Sequence, residues 1–270
     1  SRDQACCQVL KTNKTKNMKK ILLLNILFIS SLFSQDYYFE KYAPFDDNIK
    51  SPEEFLGYPI GEMHTRHDLI VSYMEYLSKV SDKAQIHYYG ETYEKRKLLI
   101  LAISSPDKIS NLESIRDKHL SYINPDHQNY NEDLKKPEDF PVIINLGYGV
   151  HGNEPSSSEA ALLTAYTLVS SKQVEVKDYL SNSIILVDPT INPDGRDRHS
   201  NWANIYKGSP LVDDPQDAEH NEYWPGGRTN HYWFDLNRDW YLGIHPESRG
   251  KLKWYHLSLI HISEPTRPRE

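Results

Sequence analysis

The sequence predicts an α/β fold with a β-sheet that is at least partly parallel. Two runs of consecutive apolar residues, within 141–150 and 183–187, are typical of strands that are buried on both faces. Segments with helical spacing of apolar residues alternate with these strands. This alternation favours strands that are connected by helices on the faces of a shared sheet.

Periodicity and β-branched residues then locate each element along the chain. Pro155 suits the first position of the helix that follows the first apolar strand. The long polar segment 190–227 is predicted to be a functional loop. The other predicted elements are helix 65–80, strands 84–89 and 97–103, helix 112–123, loop 124–139, helix 160–169, short helix 174–180 and helix 247–255.

Residues 18–34 have the pattern of a secretory signal peptide. Met18 and two lysines precede an apolar run, 21–33, and the small Ser34 occupies the last position before a plausible cleavage point. The run is short for a transmembrane helix, which needs about 20 apolar residues. An uncleaved membrane anchor is the alternative. The pattern predicts a secreted or periplasmic protein of a bacterial envelope.

The two ends of the chain are expected to lie outside the native domain. Residues 1–17 precede the first methionine, and we interpret them as translated upstream sequence. Both cysteines, Cys6 and Cys7, lie there, so the rest of the chain has no disulfide and no thiolate. Residues 257–270 resemble the translation of a sequencing-library adapter, and we expect the native sequence to end near His256.

The net charge of the chain argues against one class of function, nucleic-acid binding. The chain carries a net charge of −7, and its basic leader segments leave the remainder more acidic still. Such a chain is a poor match for nucleic-acid binding. We expect a lead-in segment at 35–50 and one domain at 51–256. Composition does not indicate the oligomeric state.

The segment from His151 to Glu154 is the main candidate for chemistry. It follows a predicted buried strand and precedes a helix, and ligands bind at the carboxyl ends of strands in such sheets. A histidine and a glutamate three residues apart across that turn can both face one metal ion. Zinc takes such ligands in catalytic sites with an open water position. On spacing alone, a hydrogen-bonded histidine at a strand end is the more ordinary interpretation.

Two further motifs follow in order. The segment from Asn192 to Gly195 reads Asn-Pro-Asp-Gly, and alone it is a good turn former. The segment from Asp235 to Arg238 reads Asp-Leu-Asn-Arg, and alone it is an exposed arginine beside a loop asparagine. Together with the His-x-x-Glu pair, these motifs resemble the M14 zinc carboxypeptidase family over roughly residues 51–256.

The resemblance implies a zinc-carboxypeptidase-like mixed sheet flanked by helices, incomplete here, and roles for five residues. His151 and Glu154 match two zinc ligands. Asn237 and Arg238 match the pair that binds the substrate's terminal carboxylate, and an arginine fork suits a carboxylate. Asp235 matches the carboxylate that orients the ligand histidine. The implied activity is hydrolysis of C-terminal peptide bonds by a zinc-activated water.

A further arginine of the family polarises the scissile carbonyl and stabilises the oxyanion. Arg228 is our choice, because Arg228-x-Asn230 before Asp-Leu-Asn-Arg resembles the spacing in short bacterial members. Arg196 and Arg198, directly after the Asn-Pro-Asp-Gly segment, are its rivals.

The pattern departs from the family after Arg238. Members carry a second histidine ligand and a glutamate base further along the chain. The candidates for the ligand are His245, His256 and His261, and Glu264 lies in the adapter-like tail. We assign none of them, and we expect this polypeptide to be an inactive fragment of an active gene product.

Other functions fit the same motifs. A peptidoglycan-fragment amidase or an N-acyl amino acid deacylase would keep the fold and the zinc but change the substrate from a peptide to a cell-wall peptide or an acylated amino acid. A non-catalytic binding protein with this fold is the alternative from another class.

Overall fold

A computed structural model describes residues 39–131 and 140–258, which form two compact units divided after Pro44. In the first unit, the described residues contain one 3-10 turn, Glu40–Tyr42. The expected upstream segment, the signal peptide, His261 and Glu264 lie outside the described residues, as does part of the loop 124–139.

The second unit, from Phe45 onward, contains a mixed sheet and the helices that flank it. The strands are β1 (Ala84–Glu91), β2 (Lys97–Ile103), β3 (Val142–Gly147) and β4 (Ser183–Asp188). The helices are α1 (Pro52–Leu56), α2 (His67–Val80), α3 (Pro106–Ser110), α4 (Leu112–Ile123), α5 (Pro155–Ser170), α6 (Val174–Asn182), α7 (Pro193–Tyr206) and α8 (Pro246–Ser258).

The sheet has the strand order β1-β2-β4-β3. β1 and β2 form an antiparallel hairpin, β2 and β4 are antiparallel, and β3 and β4 are parallel, with Val142 opposite Ser183 and Gly147 opposite Asp188. The predicted partly parallel, mixed sheet is therefore confirmed. Because β3 and β4 are parallel and in register, the loops that follow them leave the sheet at the same end, where the carboxyl termini of both strands lie.

The core lies between the sheet and the helices on its faces. All six residues of β4 are buried, as predicted. α2 contributes Ile70, Tyr73, Met74 and Leu77, which have no exposed surface. Burying such side chains stabilises the fold by about 1.5–3 kcal/mol each. None of the helices in the two described ranges has the length and apolar run needed to cross a bilayer.

The prediction that the strand at 141–150 is buried on both faces is wrong. β3 spans Val142–Gly147, and its side chains alternate, with Val142 62% exposed and Ile144 38% exposed. Among the described strands, β3 has a pairing partner on one side, so its side chains have fewer neighbours than those of the central β4.

The prediction that 190–227 is a loop throughout is also wrong, because α7 occupies its first third. Pro193 takes the first helical position, and the Asn192 side chain caps the helix by accepting a hydrogen bond from the Gly195 amide at 3.0 Å. The Asn-Pro-Asp-Gly segment is thus a helix start, in which asparagine is a good cap and proline is preorganised.

α8 is held against the sheet by a buried ion pair. Lys251 Nζ donates to Asp188 Oδ2, and neither side chain has exposed surface. The Tyr89 hydroxyl, from β1, donates to the same carboxylate oxygen at 2.8 Å. Trp254, one turn further along α8, packs on the apolar cluster of β2 and β4.

Candidate metal and substrate site

The loops that follow β3 and β4 are joined through their backbones. The amide of Tyr148 donates to the carbonyl of Asp188 at 2.9 Å, and the amide of Ile191 donates back to Tyr148 at 2.8 Å. The amide of Asn192 donates to the carbonyl of Gly149 at 2.9 Å. These bonds fix the segment His151–Glu154, which we call the metal turn, beside the start of α7.

His151 lies between two carboxylates. Its side chain is buried, with Nδ1 2.9 Å from Glu154 Oε1 and Nε2 2.9 Å from Asp235 Oδ1. Glu154 is about half exposed, with 54% of its side-chain surface accessible. A neutral imidazole has one N–H to donate, so one ring nitrogen can donate to a carboxylate while the other presents a lone pair that could bind a metal ion.

Asp235 connects the histidine to two other groups of the site. Its Oδ1 accepts the amide of Asn237 at 3.0 Å, and its Oδ2 accepts Arg228 Nη2 at 3.1 Å. Burial alone would raise the pKa of Asp235, but the hydrogen bonds from His151, Asn237 and Arg228 outweigh burial and lower it. Asp235 is therefore an ionised acceptor that holds the Nε2 side of His151.

A tight turn aims Asp235 at the histidine. Asn230 is fully buried, and its side-chain oxygen accepts the amides of Tyr232 and Phe234 at 3.0 and 3.1 Å. The backbone amide of Asn230 donates to the carbonyl of Phe234 at 3.0 Å. Trp233 takes a positive φ of 60° at the tip of this turn. The turn reverses the chain between Arg228 and Asp235, so both side chains reach the same place.

Asn237 and Arg238 are the exposed residues of the 3-10 turn Leu236–Arg238, which the Asp235 side chain caps. Arg238 Nη1 donates to the carbonyl of Asn237 at 3.2 Å. No carboxylate in the described ranges forms an ion pair with Arg238, so its guanidinium can donate hydrogen bonds to an incoming carboxylate. Arg228, 48% exposed, is paired with Asp235 but remains open to solvent.

The two rival arginines have other partners. Arg196 is buried and donates to Glu159 Oε1 at 2.5 Å, to the carbonyl of Thr65 and to the carbonyl of Pro155. Arg198 donates to backbone carbonyls of the loop 226–230. Both guanidinium groups therefore hold protein segments together.

The described candidates for a third ligand have no contact with His151. The His245 ring packs against Phe234 at a tilt, with ring centroids 4.6 Å apart, and its Nδ1 lies 3.3 Å from the hydroxyl of Tyr93. His256 is exposed in the last turn of α8. Neither is brought to the metal turn.

A second group of metal-ligand types does not form a convincing ion site. Glu94, Asp194 and His231 each offer an atom within 4.8 Å of the others. The Arg96 guanidinium already donates to Glu94 and, at 2.8 Å, to Asp194 Oδ1. Because the Arg96 guanidinium already balances the negative charge of Glu94 and Asp194, we interpret this group as an ion-pair network.

Two residues of the site escaped the sequence analysis. Asn153 lies within the metal turn, and Glu222 lies in the long loop after α7, where their side chains meet at 3.0 Å. Asn153 could have been noticed from its position between the two candidate ligands. Nothing in the sequence separates Glu222 from the other acids of its loop.

The donor set fits zinc. His151 Nδ1 and Glu154 Oε1 face each other, and both are ligand types that zinc accepts. The other ring nitrogen is held by a carboxylate, which is the usual arrangement for a metal-bound histidine. A zinc ion would also offset the negative charge of the two carboxylates beside the imidazole.

The family model Peptidase_M14, described as zinc carboxypeptidase, matches residues 70–256. No curated protein matched the sequence. Similar solved structures include thrombin-activatable fibrinolysis inhibitor, 15% identical over 78% of this chain and 49% of that one, with a TM-score of 0.48. A putative carboxypeptidase A from Shewanella denitrificans is 14% identical over 71% and 36%, with a TM-score of 0.44. The chain thus spans about half or less of the length of these proteins.

Proposed function

Because the chain belongs to the M14 family of zinc carboxypeptidases, we propose that His151 and Glu154 bind zinc and that the gene product hydrolyses C-terminal peptide bonds. The observation that carries the proposal is the position of His151 between Glu154 and Asp235, both at 2.9 Å. Zinc bound there would supply a water acidic enough to attack a peptide carbonyl.

The remaining residues of the site have chemically distinct tasks in this proposal. Asp235 keeps the proton on Nε2 of His151, so that Nδ1 presents its lone pair. Arg228, held at 3.1 Å from Asp235, donates to the carbonyl oxygen as negative charge develops on it. Asn237 and Arg238 bind the terminal carboxylate of the substrate and so select the last peptide bond. We assign the third ligand and the general base to no described residue.

Zinc binding can be tested on the 270-residue chain by nuclear magnetic resonance. We expect zinc chloride to shift the ring signals of His151 and the side-chain signals of Glu154. The Glu154 shift is lost in His151→Ala, and both shifts are kept in His256→Ala, the matched control. If zinc moves the His256 ring and leaves His151 unchanged, the assignment of the metal turn is wrong.

The carboxypeptidase activity is tested on the intact gene product. The substrates are one peptide with a free C-terminus, the same peptide with an amidated C-terminus, and a peptidoglycan stem peptide. We expect the free peptide to be cleaved, the amidated peptide to be resistant, and Arg238→Ala to raise KM for the free form. Preferential cleavage of the cell-wall amide would favour the amidase.

We also propose that the protein acts outside the cytoplasm, where peptides or cell-wall peptides are its substrates. The signal-like segment 18–34 supports this location. Cell fractionation of an epitope-tagged gene product tests it, and retention in the cytoplasm with the leader uncleaved would contradict it.

A further inference from the structure

The carboxylate of Glu222 is held by three donors from three parts of the fold. Its Oε1 accepts Nδ1–H of His199 at 2.9 Å and the amide of Gly227 at 2.6 Å. Its Oε2 accepts Nδ2–H of Asn153 at 3.0 Å. Glu222 is 16% exposed, so these bonds are largely shielded from water.

The three donors connect the separate parts of the proposed site. Asn153 lies inside the metal turn, between the two candidate zinc ligands. Gly227 immediately precedes Arg228, and His199 lies on α7. One carboxylate therefore fixes the metal turn relative to the segment that carries Arg228, with α7 as the common support.

The chain around Glu222 is shaped for this contact. A Cβ on Gly226 would lie 3.1 Å from Glu222 Oε2, and a Cβ on Gly227 would lie 3.1 Å from Oε1 and 2.4 Å from the Cβ of His199. Two consecutive glycines let the backbone close on the carboxylate. Burial alone would raise the pKa of Glu222, but its hydrogen bonds from His199, Asn153 and Gly227 lower it, so the group is ionised near neutral pH.

We propose that Glu222 is a positioning residue that sets the spacing between the metal turn and Arg228. This inference rests on the proposed function, since it assigns Glu222 a task in a zinc site. Glu222 touches neither zinc ligand and acts through Asn153 on one side and through the Gly227 backbone on the other.

A reciprocal exchange separates positioning from general stability. In Asn153→Asp, two carboxylates face each other at the present 3.0 Å and repel. In the double variant Asn153→Asp/Glu222→Gln, the glutamine amide can donate to the aspartate, so the bond is restored in the opposite direction with the net charge unchanged. Glu219→Gln is the control, because Glu219 lies in the same loop and accepts the amide of Gly208 at 3.2 Å instead of Asn153.

The measurements are the zinc dissociation constant at His151 and the metal-free ring and amide shifts of residues 151–154 and 227–228, all by nuclear magnetic resonance. We expect Glu222→Ala to weaken zinc binding about tenfold, the low end for residues that support metal ligands. In the metal-free protein, Glu222→Ala should also change the chemical shifts of both segments, 151–154 and 227–228. The exchange variant should restore both readouts, and Glu219→Gln should change neither.

The outcomes distinguish the two proposals. If wild-type His151 binds no zinc, the zinc proposal fails, and the metal-free shifts still decide whether Glu222 couples the two segments. If wild type binds zinc and Glu222→Ala binds it equally well, the positioning role is wrong. If Glu222→Ala fails to fold, the exchange variant decides, and its failure to recover the wild-type dissociation constant would also contradict the proposal.

Discussion

Gly152 and Gly195 are packed backbone against backbone, because a Cβ on Gly152 would lie 2.1 Å from the carbonyl carbon of Gly195. Gly152 belongs to the metal turn, and Gly195 belongs to the first turn of α7. A Cβ on Gly195 would itself lie 2.4 Å from the carbonyl oxygen of Gly227. Three backbone segments thus meet at van der Waals contact directly beneath the site.

We predict that Gly152→Ala destabilises the protein by more than the roughly 1–3 kcal/mol usual for overpacking, because backbone atoms must move. Urea unfolding monitored by circular dichroism measures the change. Gly147→Ala is the control, since its Cβ would meet the end of the Ile191 side chain at 3.0 Å, which can shift. Equal unfolding midpoints for the two variants would contradict the prediction.

Asp235→Asn is predicted to weaken zinc binding at His151 by roughly 10–100-fold, because the acceptor that fixes Nε2–H is replaced by a weaker one. Zinc competition with a chelator, followed on the His151 ring signals, gives the ratio. Asp213→Asn, an exposed acid of the long loop, should leave the dissociation constant unchanged. An unchanged constant in Asp235→Asn would remove Asp235 from the proposed site.

Arg196→Met is predicted to cost about 3–5 kcal/mol of unfolding free energy, because it leaves the buried carboxylate of Glu159 without its cation. The matched control is Arg66→Met, which breaks the exposed pair with Asp68 and should cost less than about 1 kcal/mol. Denaturant titrations of the two variants compare their free energies of unfolding. A large loss of catalytic turnover in a fully stable Arg196→Met protein would instead favour Arg196 as the oxyanion residue.

Glu247 is predicted to contribute a loss of stability as pH rises from about 4.5 to about 7. Burial, together with the nearby Asp194 and Asp239, raises the pKa of this carboxyl from 4.5 to about 7, although the helix amide and Asn230 partly offset the shift. Between these values the folded state binds more protons than the unfolded state, so raising the pH favours unfolding.

Glu247→Gln should flatten this part of the pH profile and stabilise the protein by up to about 3 kcal/mol at neutral to basic pH. Thermal unfolding of the variant and of wild type, measured across this pH range, tests both expectations. Glu219→Gln is a suitable control on the long loop. A pH dependence that is the same in Glu247→Gln and wild type would show that the carboxyl is not the titrating group.

Local patterns were sufficient to predict most of the architecture. Continuous apolar residues identified β4, which is buried along its whole length. β3 has a similar composition but lies at the edge of the described sheet, and strand order is not encoded in composition. α7 was missed because Asn-Pro-Asp-Gly can start either a turn or a helix. The choice depends on the backbone contacts of Gly195, which the sequence does not display.

The site was predictable to the extent that it follows ordered motifs. His151, Glu154 and Asp235 are identified by the resemblance of three ordered motifs to the M14 family, and the structure brings them together. Glu222 was not recognisable, because its partners are 69 and 23 residues away at Asn153 and His199. Likewise, the sequence could not decide between Arg228 and Arg196 as the oxyanion residue. The two differ because Arg196 is buried against Glu159, whereas Arg228 is open to solvent.

The ion pair between Lys251 and Asp188 places a timing constraint on synthesis. Lys251 follows Asp188 by 63 residues, about 3–13 s of translation at roughly 5–20 residues per second. During that interval the nascent β4 ends in a carboxylate whose burial is costly, because its cation has not yet been made. This end of the sheet is therefore expected to be buried only after α8 has been made.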